Sequence, residues 1–368
     1  MLEVQDASGG VLHRRTLSPD WEPAVQWAQL AGVCTHGANA GAVPEARVEP
    51  VWHAAGAPVV AGIRVRMTSD DLAWFEDCPA DAYFGDTKRA VVAELLAAGS
   101  LQPDDTVRLV TTAYAVDVAA ITPAAVFHIE ERAPHWSPRD RGFDTLVAQS
   151  VPCGEHDATD LQVVVPDHVL EEMVALTQAA GECETGGVLI GHLCVDSKPR
   201  AIGVEVTAQI PARHTVGDAT KLTFTSETWT DVRAAVRLRG RDELLLGSWH
   251  SHPAHAWCKA CPLERQRECQ LAAGFMSADD RALHRAMFPA AFSQAVVVTR
   301  SVLGTHASWF GWRRGTIQPR GFRLTPGGAG HAPLAWAAVR PASGGGVEAC
   351  GPKPSEVVSM ASSTTGKD

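Results

Sequence analysis

Glu243–Asp280 reads ELLLGSWHSHPAHAWCKACPLERQRECQLAAGFMSADD. The apolar run Leu244 to Leu246 predicts a buried strand that ends at Gly247. His250 and His252 follow two residues apart, so on an extended chain both imidazoles point to the same side. Ser277-Ala278-Asp279-Asp280 opens a helical segment and offers a carboxylate at Asp280. Two neutral imidazoles, one carboxylate and an open position are the make-up of a catalytic zinc site, where bound water becomes nucleophilic near neutral pH.

A lone His-x-His is common on strands and carries no chemistry by itself. Here Glu184-Thr185-Gly186-Gly187-Val188-Leu189-Ile190-Gly191 lies upstream and Ser277-x-x-Asp280 downstream. In that order the three motifs resemble the prokaryotic-type JAMM (MPN+, JAB-type) zinc metalloproteases. That family's pattern is a Glu before a Gly-rich strand, His-x-His-Pro, seven residues, then Ser-x-x-Asp. In this chain 23 residues separate Pro253 from Ser277, a surplus of 16 that contains His255, Cys258, Cys261 and Cys269. An insert of that length loops out at little closure cost, so Asp280 is expected to keep its place.

The resemblance covers roughly Leu161 to Arg314 and implies a mixed sheet flanked by helices. It puts His250, His252 and Asp280 on the catalytic zinc. It makes Glu184 the general base that takes a proton from water and hands it to the leaving amine. Ser277 becomes the donor to the oxyanion. Glu182 and Asp279 are near neighbours without the matching spacing. The implied activity is an isopeptidase that cuts after the C-terminus of a ubiquitin-like or sulfur-carrier-like protein, whose extended tail would lie beside a sheet edge.

Cys258, Cys261 and Cys269 form a Cys-x2-Cys-x7-Cys array, with His255 three residues before it. Two thiolates at this spacing chelate one ion, and a tetrahedral structural zinc site wants four such ligands. A second zinc held by His255, Cys258, Cys261 and Cys269 is therefore one expectation. The alternatives are an iron-sulfur cluster and three incidental thiols.

Two other functions compete. One is a noncatalytic scaffold of the same fold, against which the complete set of site residues weighs. The other is a zinc deaminase, whose signature is His-x-Glu followed by Pro-Cys-x-x-Cys. Here Ser251-His252 follows His250, and Trp257 precedes Cys258.

The 368 residues suffice for two ordinary domains, and 45% hydrophobic with 20% charged residues is a globular composition. A net charge of -10 argues against a nucleic-acid partner, because such affinity needs clustered Lys and Arg. No apolar run approaches a membrane span, and MLEVQDASGG lacks the regions of a signal peptide, so a cytoplasmic protein without a membrane partner is expected. The nine cysteines then read as thiols or metal ligands rather than a disulfide framework.

The predicted class is α/β: a C-terminal JAMM/MPN-like domain over 161–324, preceded by a separate α+β domain over 1–137. Residues 138–160 read as a polar linker. From 325 to 368 the Gly, Ala, Pro, Ser and Thr composition predicts a disordered tail. In the first domain Ser18-Pro19-Asp20 starts a helix that Gly32 ends. Cys34 to Pro58 reads as a loop or insertion, Ile63 to Met67 as a half-buried strand, and Val126 to Ile129 as another strand. No catalytic signature appears there, so its role is left unknown.

Overall fold

A computed structural model describes residues 1–36, 45–54, 57–69, 72–114, 138–140, 142–157, 160–196, 202–213, 215–217 and 222–326. The chain divides into two compact units: Met1–Ser137 with Trp312–Thr316, and Pro138–Gly311 with Ile317–Asp368.

In order, the first unit contains β1 (Leu2–Gln5), β2 (Val11–Arg15), α1 (Glu22–His36), β3 (Glu45–Trp52), β4 (Val60–Ser69), β5 (Leu72–Pro79), α2 (Ala80–Tyr83), α3 (Gly85–Ala97) and β6 (Arg108–Thr111). They form two three-stranded sheets, β2-β1-β6 and β3-β4-β5. Along β4, Ile63, Val65 and Met67 are buried and face Ala24 and Ala28 of α1, while Arg64 points outward and pairs with Asp77 at 2.7 Å. That alternation is the period-2 pattern of a strand with one wet face.

Three sequence expectations change here, the first being that α1 starts at Glu22 rather than at Ser18-Pro19-Asp20. Gly32 does not end the helix, which continues to His36. A Cβ at Gly32 would lie 2.4 Å from the Trp74 ring, whose Nε1 donates to the Ala28 carbonyl at 2.8 Å. The glycine is a seat for an indole rather than a helix cap. Within Cys34 to Pro58, read as a loop, Glu45–Trp52 is a strand paired along its length with β4. Val126 to Ile129 lies outside the described residues.

The second unit continues with β7 (Arg139–Asp140), α4 (Phe143–Ala148), β8 (Val151–Cys153), β9 (Gln162–Pro166), α5 (Asp167–Ala180), β10 (Gly186–Val195), β11 (Ile202–Pro211), β12 (Thr215–Gly217), β13 (Leu222–Phe224), α6 (Ser226–Arg239) and β14 (Leu244–His252). After these come α7 (Ala254–Trp257), α8 (Leu263–Glu268), a 3-10 turn (Gln270–Ala273), α9 (Ala278–Met287), β15 (Gln294–Ser301), β16 (Gly304–Arg313), β17 (Thr316–Pro319) and β18 (Phe322–Thr325). One mixed sheet runs β17-β16-β15-β14-β10-β11-β9-β18-β8, with β7 paired to β10. The stretch 138–160, expected as a linker, thus supplies β7 and β8 to this sheet, and Phe143 of α4 packs on Val164 and Cys194. The segment is polar at its edges, but Phe143, Leu146 and Val147 of α4 dock. Of the 325–368 tail, residues from 327 on lie outside the described residues.

Strand β10 is buried almost end to end, as a central strand covered on both faces should be. Its glycines serve close approach: a Cβ at Gly187 would meet the Ile210 carbonyl at 2.4 Å and Trp249 Nε1 at 2.6 Å. Val188 and Ile190 pack with Val232 of α6 and with Phe288 on one face of the sheet.

Strand β14 does not stop at Gly247, as its sequence suggests, but passes through that residue to His252. Its register against β10 jumps from Leu189↔Gly247 to Ile190↔Leu245, which leaves Leu246 as the extra residue of a bulge. Gly247 has φ +151°, and a Cβ there would lie 1.7 Å from the Gln294 carbonyl. A bulge shifts the in-out alternation by one, so the strand buries Leu246 within it and still presents both histidines beyond it.

Candidate metal centre

His250 and His252 occupy the C-terminal end of β14, between β10 and β15, in register with Val297 and Thr299. Their Nε2 atoms are 3.0 Å apart. Asp280, in the first turn of α9, brings Oδ2 to 3.4 Å from His250 Nε2 and 3.7 Å from His252 Nε2. Among the described residues these three are the group whose ligand atoms all lie within 4.8 Å of one another. The near neighbour Asp279 is exposed and belongs to no such group.

Asp280 is fixed by a capping box. Its Oδ2 accepts from the Ser277 backbone N–H at 2.8 Å, and Ser277 Oγ accepts from the Asp280 backbone N–H at 3.1 Å. Such reciprocal bonds satisfy two of the amides a helix start leaves unpaired. Ser277 thereby has a local structural task, and its hydroxyl hydrogen is not used by that bond.

Glu184 is 9% exposed and close enough for its charge to act on His250. What sets it there is Ser251, which lies between the two histidines and is 1% exposed. The Ser251 amide donates to the Thr185 carbonyl at 2.8 Å, and the Thr185 amide donates to Ser251 Oγ at 3.0 Å. This double clamp ties the segment carrying Glu184 to the strand carrying the histidines. Sequence reading passed over Ser251 as the neutral x of His-x-His; only its smallness and hydroxyl could have drawn notice. Glu182, by contrast, is exposed and pairs with Lys259 at 3.6 Å on the surface.

The insert does not loop away from the site. Its helix α7 and the 3-10 turn both pack on β15. Trp257 and Phe275, from its two ends, have ring centroids 5.0 Å and 4.8 Å from that of His252. These aromatic neighbours bury the imidazole, and burial, with the adjacent His250 adding to it, pushes the His252 pKa down to about 4 against the pull of Asp280. His252 is therefore neutral at pH 7, the form that ligates metal. Burial works the same way on His250, but the charge and hydrogen bond of Asp280, together with Glu184, outweigh it and raise that pKa. Burial would likewise raise the Asp280 carboxyl, yet the two imidazoles hold it well below the usual range.

The donor set fits a zinc ion. Two imidazole nitrogens and one carboxylate oxygen converge from two elements, one imidazole is held neutral, and Zn–N and Zn–O bonds of about 2.0–2.2 Å are compatible with donors this close. The four residues of the expected second site behave differently. Cys258 and Cys269 are buried with sulfurs 3.7 Å apart, Cys261 packs against them, and His255 Nδ1 faces the Arg300 carbonyl at 3.3 Å. They do not form a group of three or more ligand atoms within 4.8 Å among the described residues. The cysteines are thus separate from the His-His-Asp centre, and a deaminase's mixed His and Cys site is not assembled.

Residues 166–257 match the family model described as prokaryotic homologs of the JAB domain. Among solved structures, this chain is similar to a Desulfitobacterium hafniense protein determined in solution, at 17% identity and a TM-score of 0.32, covering 45% of this chain and 94% of that one. No curated protein matches.

Proposed function

We propose that this chain, whose residues 166–257 belong to the prokaryotic JAB-domain family, is a zinc-dependent peptidase or isopeptidase. The observation that carries the reading is the convergence of His250, His252 and Asp280 beside a buried Glu184. The three would hold zinc, which when bound polarises the scissile carbonyl and makes water nucleophilic near neutral pH. Glu184 accepts the proton of the attacking water and returns it to the leaving amine, a two-way transfer suited to a carboxylate held at the edge of the site. Ser277 turns its hydroxyl hydrogen to the developing oxyanion while its oxygen keeps the cap on α9. Trp257 and Phe275 exclude water from His252 and hold its ring.

The substrate class is the C-terminal tail of a ubiquitin-like or sulfur-carrier-like protein, or its conjugates, a reading that the family match supports. A cytoplasmic setting accords with the cysteines, none of which forms a disulfide among the described residues. No helix of the described residues is long and apolar enough to cross a membrane. The test is cleavage by the full chain, loaded with zinc, of linear fusions that place a reporter after such tails. Release at the tail, abolished by a chelator and restored by zinc, is the expected result. A folded, zinc-replete protein inert toward the whole panel would favour a noncatalytic scaffold instead.

A further inference from the structure

The insert between His252 and Ser277 packs on β15 and on His252 near its two ends, while its middle has only a small core of its own. Its own buried cluster consists of Cys258, Cys269 and Ala272, with Cys261 and Leu271 packed against them. Around it Lys259, Pro262, Leu263, Glu264, Arg265 and Arg267 face solvent. A core in which three of five members are cysteines is an unusual way to hold a loop by burial alone. It is the common way to hold one by metal.

We infer that Cys258, Cys261, Cys269 and His255 bind a structural zinc ion, separate from the His250–His252–Asp280 centre, that staples the insert closed. The Cys258 and Cys269 sulfurs are 3.7 Å apart and unbridged. A disulfide would bring them to about 2.05 Å, whereas two thiolates on one tetrahedral zinc, at about 2.3 Å each, stand about 3.8 Å apart. The Cys261 amide donates to the Cys258 carbonyl at 2.9 Å, closing the tight Cys-x-x-Cys turn that keeps Cys261 packed against the buried pair. His255 supplies the fourth donor. A carbonyl only accepts, so the contact with Arg300 at 3.3 Å makes Nδ1 the protonated nitrogen and leaves the Nε2 lone pair for the metal. A ligating histidine usually donates its other ring N–H to a carbonyl in this way.

Binding draws Cys261 and His255 to the sulfur pair already in place, and each thiol that ligates releases its proton to solvent. The consequence reaches the other centre. Trp257 precedes Cys258 directly and Phe275 follows Cys269 by six residues, so the staple holds together the two ends of the insert that flank His252. This site stands independently of the proposed peptidase activity.

The experiment is elemental analysis of the full chain, grown with zinc and purified without chelator, beside a His250→Ala/His252→Ala variant. Two zinc ions per wild-type chain and one in the variant are expected, with X-ray absorption of the variant showing a shell of three sulfurs and one nitrogen. Should the variant fail to fold, cobalt(II) substituted into the wild-type protein gives the same answer through intense thiolate-to-cobalt charge transfer. One zinc in the wild type with Cys258, Cys261 and Cys269 all open to a thiol reagent would overturn the inference. So would a Cys258–Cys269 disulfide found by mass spectrometry, or iron with the broad visible absorption of an iron-sulfur cluster.

Discussion

Ser277 has two tasks in the proposed site, and substitution by glycine and by alanine separates them. Its Oγ caps α9 by accepting from the Asp280 amide at 3.1 Å, and its hydrogen is assigned to the oxyanion. Removing an N-cap serine in favour of alanine costs about 1 kcal/mol, whereas glycine costs only a few tenths. If the cap were all that mattered, the first turn of α9 would open about fivefold more often in Ser277→Ala and less than twofold more often in Ser277→Gly. Activity would fall by no more than those factors. Loss of an oxyanion donor instead costs about 10² to 10³ in turnover, or roughly 2.7–4 kcal/mol, whichever residue replaces serine. The expectation is therefore that both variants lose turnover by at least about 100-fold, while the melting temperature drops by about 2–4 °C in Ser277→Ala and hardly at all in Ser277→Gly. The assay pairs kcat on a tail fusion with thermal unfolding and zinc content, each on zinc-loaded protein. A glycine variant with nearly full turnover would refute the donor role and leave Ser277 a cap.

Glu184→Gln should keep one equivalent of catalytic zinc yet lose about 10² to 10⁴ in kcat, since it removes the base and spares the ligands; loss of zinc from that site would show Glu184 to be a ligand. Gly247→Ala should cost about 3 kcal/mol or leave the protein insoluble, because the new methyl meets the Gln294 carbonyl and the site also needs a positive φ; an unchanged urea midpoint would mean the bulge is misplaced. Glu243, buried beneath α6, is held below the ordinary carboxyl value of 4.5 chiefly by its hydrogen bonds from Arg239 at 2.6 and 2.8 Å, with Thr207 adding to this. Its folded value being the lower one, the pair's contribution is complete above pH 4.5 and fades as pH falls through the folded value. Glu243→Gln should accordingly be about 1–3 kcal/mol less stable at pH 7, a gap that urea titrations at falling pH should see close; a gap independent of pH would contradict the ion pair.

Local pattern determined a good deal of this protein. The period-2 spacing of His250 and His252 on an extended chain puts both rings on one side before any tertiary contact is known. Ser277 and Asp280, three residues apart at a helix start, meet through bonds within a single turn, so their alignment also belongs to the sequence. The strands at Gln162, Gly186, Ile202 and Gln294 and the helices at Asp167 and Ser226 follow from apolar residues spaced closely along the chain.

Contacts between distant residues were decided by the fold alone. Ser251 and Thr185 are 66 residues apart, and their clamp exists because β10 and β14 pair in one register through a bulge at Gly247. Nothing in the triplet His-Ser-His encodes that register. Arg139–Asp140 and Val151–Cys153 read as a linker because they are short and set among polar, Pro- and Gly-containing breaks, yet backbone pairing to β10 and β18 needs no long apolar run. Gly32 signals a helix end by itself and becomes a seat only when Trp74 arrives from another element. The insert is the clearest case. Its sequence announces cysteines at metal spacing, but that Trp257 and Phe275 close on His252 follows from the packing of α7 and the 3-10 turn on β15. Short-range periodicity fixes which way a side chain points, whereas the neighbour it meets depends on long-range register and packing, which the whole chain settles together.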